Sequence, residues 1–302
     1  MKSISVIQGW LNVYKPLGMN STRAVTIVRH ALNKHKVGHA GTLDPLAEGV
    51  LPLALGDATK TVNYLMEKTK VYEFEITWGA QTSTDDSEGD IVASSPHRPT
   101  QEQINEAIPH FIGHQDQIPP QYSAVWIEGK RAYDLARQNK QMDIQARNIF
   151  IESLELTACP STDRATFRVI CGKGTYVRSL ARDLAIHLQT RGHISVLKRV
   201  RVGNFLAANA ISLEKIQELG HKVLSEGYVH PIVDVLDDIP AIYVNAEQEM
   251  LIRHGHAIGL TPQQAIGNDS GTVLCLLEPK KALAIGTLNS GFVQPNRVFN
   301  KT

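Results

Sequence analysis

Residues 39–51 read His-Ala-Gly-Thr-Leu-Asp-Pro-Leu-Ala-Glu-Gly-Val-Leu, and this stretch holds the most chemical information in the chain. Asp44 is the first acidic residue, after 43 residues that contain six Lys or Arg. Pro45 follows it directly, and Gly41 and Gly49 stand on either side. Positive surroundings keep a buried carboxylate ionised, so the segment predicts a nucleophile on a rigid turn. The alternative is an Asp-Pro turn that only caps a helix.

The net charge of +1 conceals two basic blocks. One is the stretch before Asp44, and the other is residues 164–201, with nine Lys or Arg and one acid. If the blocks meet in the fold, they make a positive face of the kind that binds a phosphate backbone. If they lie on opposite sides, they are ordinary solvated surface, and charge alone does not decide between the two.

The composition of the 302 residues is that of a folded protein with one large domain or two unequal ones. There is no signal-peptide core at the N-terminus and no apolar run of the ~20 residues that a membrane helix needs. Three cysteines without a CxxC pair favour a reducing compartment. His110 and His114 lack the glutamate of a zinc-binding helix. We therefore expect a cytoplasmic protein with no metal and no cofactor.

The hydrophobic pattern indicates an α+β protein. Val71–Trp78 alternates as a half-buried strand does, and helices and further strands follow in mixed order. After a linker at Asp237–Pro240, a helix and two short strands predict a small β-rich domain. The other predicted elements are a helix from Thr22 to about Lys34 capped by Ser21, helices near Thr100 and over Ala132–Asn139, strands Ile149–Leu156 and Thr166–Cys171, a helix after Gly174 that ends at a C-cap Gly192, a helix Ala246–Arg253, and strands Thr272–Leu277 and Ala282–Leu288.

Five blocks of the sequence, in order and spacing, resemble the bacterial tRNA pseudouridine-55 synthase family, also called the TruB family. They cover most of residues 10–205, and Asn20 is a departure, since the family has threonine there. Asn also caps turns, so the local geometry is expected to survive. The blocks are Lys15–Ser21, Gly41–Leu51, Lys70–Tyr72, Pro119–Ala124 with Gly129–Tyr133, and Lys173–Leu180.

The resemblance implies a pseudouridine-synthase catalytic domain over residues 1–238, built on a mixed, largely antiparallel sheet with flanking helices. It places an RNA-gripping insertion at about 115–140 and a PUA-like RNA-binding domain at 239–302. The implied reaction is isomerisation of uridine to pseudouridine at position 55 in the T loop of tRNA, with the base flipped out of the loop. The implied partner is the T stem-loop of tRNA, and a monomer is expected.

The resemblance also implies roles for single residues. Asp44 is the nucleophile, and Arg178 orients it through paired hydrogen bonds. Tyr72 stacks on the uracil and moves protons. Further base-contacting or loop-contacting residues are His39, Tyr176 and Leu197. The basic residues expected to contact RNA phosphates, with solvated surface as the alternative, are Lys15, Arg23, Lys130, Arg131, Lys198, Arg199 and Arg201.

Two other functions compete with the isomerase. A two-carboxylate hydrolase of N-glycosides would use Asp44 as nucleophile and Glu48 or Asp57 as acid, and would release free uracil. A non-catalytic RNA-binding or RNA-folding protein would use the basic face and the C-terminal domain. A binding protein does not need Asp44, Tyr72 and Arg178 together, so the isomerase is favoured.

Overall fold

A mixed sheet of eleven strands forms the larger part of the molecule. The computed structural model describes residues 7–33, 35–123, 126–127, 130–131, 144–265 and 270–300, with the backbone alone at 126–127, 130–131 and 265. The strands of residues 9–230 are β1 (Gly9–Lys15), β2 (Val37–His39), β3 (Ala47–Leu55), β4 (Lys70–Trp78), β5 (Ala80–Thr82), β6 (Ile91–Ser94), β7 (Gly113–Gln117), β8 (Trp126–Ile127), β9 (Lys130–Arg131), β10 (Arg147–Ser161), β11 (Arg164–Cys171), β12 (Gly192–Val202), β13 (Phe205–Leu206), β14 (Ile211–Ser212) and β15 (Val229–His230).

The order of the large sheet is β14-β1-β3-β12-β4-β11-β10-β7, with β2 on β3, β13 on β12 and β15 on β1. The pairs β1–β14 and β3–β12 are parallel, and the others are antiparallel. The prediction of a mixed, largely antiparallel sheet is therefore confirmed. The small hairpins β5–β6 and β8–β9 lie outside it.

Helices flank the sheet, as predicted, and none in the described ranges is long and apolar enough to cross a membrane. The helix predicted over Ala132–Asn139 falls outside the described residues. The described helices are α1 (Ser21–Ala31), α2 (Val62–Glu67), α3 (Gln101–Ala107), α4 (Val177–His187), α5 (Leu213–Leu219), α6 (Ala246–Arg253) and α7 (Pro262–Ala265).

The start of α1 differs from the prediction. Asn20, not Ser21, is the N-cap, and its side chain accepts a hydrogen bond from the backbone N of Arg23 at 2.8 Å. The amide thus supplies the cap expected at this position. Ser21 lies in the first turn with its hydroxyl buried, and the helix ends at Ala31 instead of Lys34.

The end of α4 also differs. Gln189, with φ of 56°, takes the left-handed conformation after the helix. The predicted C-cap, Gly192, instead begins β12. A Cβ there would lie 3.0–3.2 Å from Ile76, Ala185 and Trp78, so the glycine permits the helix to pack closely on the sheet.

Alternating side chains give the sheet two apolar faces. Leu51 and Leu53 in β3 belong to the core under the helices α1 and α4, whereas Val50 and Ala54 belong to a second core on the opposite face. This period of two is that of a sheet covered on both sides.

A second sheet of five strands follows, with the order β16-β18-β19-β20-β17. The predicted β-rich C-terminal part is confirmed, and α6 has the predicted bounds, but β16, β17 and β20 were not predicted. The strands are β16 (Ala241–Tyr243), β17 (Ile258–Gly259), β18 (Gly271–Glu278), β19 (Lys281–Asn289) and β20 (Phe292–Val298).

The C-terminal sheet packs on the second face of the large sheet. Leu274, Ile285 and Phe299 share a core cluster with Trp10 and Leu65. The predicted linker is also docked, because Lys68 Nζ lies 2.6 Å from a carboxylate oxygen of Asp237 and 2.8 Å from one of Asp238. The two sheets thus have separate hydrogen bonding and a shared core, and a domain boundary after residue 238 stays a prediction.

Candidate active site

A cleft of about 250 Å³ opens where β3, β4 and β12 lie side by side. It gathers six of the predicted site residues, four of them from three of the sequence blocks and two from β12. These six are Asp44, Tyr72, Tyr176, Arg178, Leu197 and Arg199; the remaining lining residues are Gly41–Leu43, Ala47, Met66, Lys70, Ser123, Arg147, Gly172–Thr175 and Val177.

The loop between β1 and α1 holds the turn that carries Asp44. The Ser21 hydroxyl donates to the Leu43 carbonyl at 2.9 Å and accepts from the Leu43 backbone N at 2.8 Å. The backbone N of Gly18 donates to the Pro45 carbonyl at 2.8 Å. Both neighbours of Asp44 in the chain are therefore fixed by the first sequence block.

Arg199 fixes the same turn from the other side. It is 1% exposed, and it donates through Nε to the Val50 carbonyl at 2.8 Å, through Nη2 to Gly41 at 3.0 Å and through Nη1 to Thr42 at 3.4 Å. The prediction that Arg199 contacts RNA phosphates is wrong, because its guanidinium is used inside the protein to hold the turn before Asp44.

Lys15 was also predicted to contact RNA phosphates, and this prediction is wrong too. It is 0% exposed, and its Nζ donates to the carbonyls of Pro16 at 2.9 Å and Met19 at 2.5 Å. Burial lowers the pKa of Lys15 to about 8, and the nearby Asp44 carboxylate offsets part of that lowering. Its role is to fold the loop that supports Asp44.

Arg178 pairs with Asp44, but it does not reserve both guanidinium nitrogens for that carboxylate. Nη2 lies 2.8 Å from Asp44 Oδ2 and donates to the Tyr122 carbonyl at 3.0 Å. Nη1 donates to the Thr84 carbonyl at 2.8 Å and lies 3.5 Å from Asp86 Oδ2. The expected pair of hydrogen bonds from Arg178 to Asp44 is therefore corrected. The guanidinium is shared between Asp44, Asp86 and the carbonyls of two loops, which fix its plane.

Asp86 is a site residue that the sequence reasoning missed. It is 3% exposed, and its Oδ1 accepts from Thr84 Oγ1 at 2.5 Å and from the backbone N of Glu88 at 3.0 Å. The acidic run at 84–88 was the available signal, but a run of acids in a loop usually indicates solvated surface. Here it supplies a second carboxylate for Arg178.

Tyr72 and Leu197 form part of the wall and floor. Tyr72 is half-buried in β4, opposite Arg199 in the paired strand β12. Burial raises the pKa of the Tyr72 phenol, and the Arg199 charge opposes that rise. Leu197 is 6% exposed and lies between Ala47 and Phe74 of the neighbouring strands.

Tyr176 directly precedes α4. The side-chain amide of Gln117 accepts from the Tyr176 backbone N at 2.8 Å and donates to its carbonyl at 3.1 Å, as a neighbouring strand would. Burial raises the pKa of the Tyr176 phenol. Tyr176, two positions before Arg178, is thus fixed by a side chain from the start of the insertion.

His39 lies at the end of β2 and is half-buried. Its Nδ1 is buried without a hydrogen-bond partner in the described part of the chain. Burial and the positive charge of Arg199 lower the pKa of the imidazole.

The remaining basic candidates lie at several places. Lys198 Nζ is 6.0 Å from the centre of the Tyr14 ring, Arg23 is exposed on α1, and Arg201 is half-buried. The side chains of Lys130 and Arg131 fall outside the described residues. The two basic blocks do meet, at the contacts of Arg199 with Gly41 and Thr42, and three of their cations, Lys15, Arg178 and Arg199, are buried around Asp44.

Lys70, Ser123 and Arg147 are among the cleft residues that received no role from the sequence. The Ser123 hydroxyl is buried beside the Tyr176 phenol but makes no hydrogen bond of good geometry within the described residues. Lys70 and Ser123 lie within sequence blocks that resemble the TruB family, and this was the signal available for them.

The two acids of the hydrolase hypothesis are engaged elsewhere. Asp57 pairs with Lys60 at 3.0 Å and accepts from the backbone N of Asn300 at 2.7 Å. Glu48 lies beside Tyr14, and burial together with this carboxylate raises the pKa of the Tyr14 phenol to about 12. Neither acid lines the described cleft, so the geometry does not favour a two-carboxylate site.

Comparison with known proteins agrees with this arrangement. Residues 29–177 match the TruB family pseudouridylate synthase N-terminal domain, and residues 178–239 match the tRNA pseudouridylate synthase B C-terminal domain. The chain is 43% identical over 306 residues to the tRNA pseudouridine synthase B of Caulobacter sp. strain K31, covering 100% of this chain and 99% of the relative. This chain belongs to the TruB family of pseudouridylate synthases. A second TruB relative, from Roseobacter denitrificans, is 45% identical over 294 residues, covering 97% and 96% of the two chains.

Solved structures of similar fold come from H/ACA ribonucleoproteins. A chain of an H/ACA particle bound to a substrate RNA containing 2′-deoxyuridine gives a TM-score of 0.72 at 21% identity, covering 97% of this chain and 85% of that one. A Cbf5-Nop10-Gar1 complex gives 0.72 at 24% identity over the same shares. The TruB-family fold of this chain is thus shared at low sequence identity.

The cleft combines an ion pair with an apolar wall. In the described residues, no group of three or more His, Cys, Asp or Glu is arranged to hold a metal ion. What the cleft offers is a positioned carboxylate, half-exposed at 37%, beside a tyrosine ring and a leucine. This arrangement suits covalent or electrostatic chemistry on one flat ring.

Proposed function

We propose that this protein isomerises uridine to pseudouridine at position 55 in the T loop of tRNA, with Asp44 as the nucleophile. The observation that carries the proposal is the anchored turn that presents Asp44 to Arg178 and Tyr72 in one cleft. Relatives named tRNA pseudouridine synthase B, matched over the full chain, support tRNA as the substrate.

The cleft size supports a flipped-out base. At about 250 Å³ it is smaller than most small-molecule pockets, and it suits a single nucleobase. A uridine within a folded loop must leave the stack before its C1′ becomes accessible. In this proposal Tyr72 stacks on the uracil, while Leu197 and Tyr176 form its other contacts.

The contacts around the site assign further roles. Arg178 holds Asp44 in place, and the carbonyls of Thr84 and Tyr122 hold Arg178. His39 packs in the distorted RNA loop. The T stem-loop contacts Arg23, Lys198 and Arg201 together with Lys130 and Arg131. The C-terminal sheet acts as a PUA-like RNA-binding domain from residue 239. The protein acts as a monomer in the cytoplasm.

Tritium release tests the function directly. A tRNA transcript carries tritium at C5 of its uridines, and a matched transcript has cytidine in place of uridine 55. Isomerisation replaces the C5 hydrogen with the glycosidic bond, so we expect stoichiometric tritium in water from the first transcript and none from the second. Release of free uracil would favour the hydrolase, and tight binding without either product would favour a binding protein.

A further inference from the structure

Three buried cations surround the base of the cleft. Lys15, Lys70 and Arg199 are 0%, 7% and 1% exposed, in that order. Within the described residues, all hydrogen bonds that their side chains donate go to main-chain carbonyls. Lys70 Nζ donates to the carbonyl of Met66 and, at 2.6 Å, to that of Lys68, which closes the end of α2.

These cations have no carboxylate partner among the described residues: no Asp or Glu oxygen there lies within 4 Å of Lys15, Lys70 or Arg199. Arg178, in contrast, contacts both Asp44 and Asp86. Burying an unpaired charge costs free energy unless something compensates. Carbonyl dipoles compensate in part, and the remaining positive charge is available to an anion that enters the cleft.

The positions of the cations show which part of the cleft they act on. Lys70 and Arg199 both line the cleft that holds Asp44. Arg199 is the strand neighbour of Tyr72, and its charge acts on the Tyr72 phenol. A ring stacked on Tyr72 would therefore lie above this cationic floor.

We propose that Lys70 and Arg199, with Lys15 behind them, stabilise the negative charge that the uracil ring takes on during isomerisation. This inference rests on the proposed function. When the N1–C1′ bond breaks, its electron pair stays on the base, which becomes an anion. Asp44, the proposed nucleophile, bonds to C1′ in place of N1. The base loses its negative charge when C5 attacks C1′ and the Asp44 carboxylate leaves with its bonding pair. The C5 proton then passes to water and N1 takes up a proton, so the isomerisation needs no other reactant. Positive charges fixed in advance in a site of low polarity stabilise such an intermediate without reorganisation.

An RNA phosphate fits these cations less well than the base does. A phosphate is strongly hydrated and is met by exposed lysines and arginines, whereas these nitrogens are held by carbonyls beneath the surface. The contrast separates them from exposed cations such as Lys173, which pairs with Glu67 at the rim of the cleft at 2.7 Å.

Changing the acidity of the leaving base tests whether Lys70 stabilises negative charge or has only a structural role. Two T stem-loop RNAs carry either uridine or 5-fluorouridine at the target position, and fluorine makes the base a more acidic leaving group. Single-turnover loss of the target nucleoside is measured at saturating enzyme by nuclease digestion and chromatography. The enzymes are the wild type, Lys70→Met, Lys70→Arg and the matched control Arg168→Gln, which neutralises an exposed cation on β11.

Lys70→Met is expected to lower the uridine rate by about tenfold or more, since one pre-positioned charge of this kind is worth at least that much. Its 5-fluorouridine rate should fall clearly less, because that anion needs less stabilisation. Lys70→Arg should keep the wild-type preference, Arg168→Gln should match the wild type, and RNA affinity should be unchanged throughout.

Other outcomes would overturn the inference. Equal losses on both RNAs would reduce Lys70 to a structural residue, and weaker binding with a smaller salt slope would make it a phosphate contact. If circular dichroism finds Lys70→Met unfolded, Lys70→Gln, which retains a donor for the Met66 carbonyl, carries the same test. A wild type that leaves both RNAs unchanged would instead reject the proposed function.

Discussion

Two of the cleft arginines, Arg178 and Arg199, come from one basic block and have opposite surroundings. Arg178 contacts two carboxylates, Asp44 at 2.8 Å and Asp86 at 3.5 Å, whereas the hydrogen bonds that Arg199 donates in the described part of the chain go to carbonyls. A paired guanidinium fixes geometry, and its charge is largely cancelled. An unpaired one fixes geometry too, but it also leaves a positive field in the cleft. A count of charges in the sequence treats the two arginines alike. In the structure, one positions a carboxylate, whereas the other also supplies positive charge to the cleft.

The largest expected effect concerns Asp44, the carboxylate that pairs with Arg178. Asp44→Asn keeps the shape of the side chain but removes its charge and its nucleophilicity. We expect no detectable tritium release, with tRNA affinity within about tenfold of wild type, because many phosphate contacts share the binding. Filter binding is the control, and substantial turnover by the variant would remove Asp44 as the nucleophile.

The next effect concerns the geometry of the paired arginine. Arg178→Lys keeps the charge but cannot reach Asp44, the Thr84 carbonyl and the Tyr122 carbonyl together. We expect the single-turnover rate to fall on the order of a hundredfold, because small displacements of a nucleophile are costly. The salt slope of binding should stay the same, since one cation replaces another. A wild-type rate would mean that Arg178 contributes only its charge.

A glycine beside the unpaired arginine provides a test of stability. Gly49 has φ of +109°, and a Cβ there would lie 2.3 Å from the Arg199 carbonyl oxygen. Gly49→Ala should lower the free energy of unfolding by about 3 kcal/mol, since β3 and β12 must separate. Urea denaturation measures this. The matched control Gly227→Ala, with positive φ and no heavy atom within 4 Å of its Cβ, should lose about 1 kcal/mol. Equal losses would show that the close approach can relax.

The smallest effect is a pH dependence of stability. Burial lowers the pKa of Lys15 and of Lys70 to about 8, whereas an unfolded lysine titrates near ~10.4. Between these values the unfolded chain binds more protons, so the free energy of unfolding rises with pH. We expect a gain of about 1 kcal/mol per lysine between about pH 7 and 9. Urea denaturation at several pH values should find a smaller gain in Lys70→Met; an undiminished gain would assign the titration to other groups.

Much of the fold and part of the site were predictable from the sequence. The alternation in β4, the bounds of α6 and the sequence blocks identified the elements and the cleft residues Asp44, Tyr72 and Arg178. These signals are local in the chain, or they come from the resemblance.

What the sequence could not predict depends on contacts between distant segments. Lys15 and Arg199 read as surface cations, because nothing near them in the chain reveals that carbonyls of other loops enclose them. Asp86 was missed for the same reason, since its partner Arg178 is 92 positions away in the sequence. The hydroxyl of Ser21 looked like a cap, and only the fold places it on Leu43.

The central claim is that groups which never touch RNA determine the rate by holding the turn of Asp44. Ser21→Ala tests it most directly, because this hydroxyl is 2% exposed and makes both hydrogen bonds to Leu43. The matched control is Thr190→Val, which removes a hydroxyl that is 0% exposed and bonded to the His97 carbonyl at 2.8 Å, beyond the far end of α4.

The measurement is single-turnover tritium release at saturating enzyme, with filter binding alongside. We predict that Ser21→Ala lowers the rate about tenfold at unchanged tRNA affinity, since a loosened turn displaces the carboxylate, while Thr190→Val keeps the wild-type rate. A wild-type rate for Ser21→Ala, or equal losses in both variants, would contradict the account.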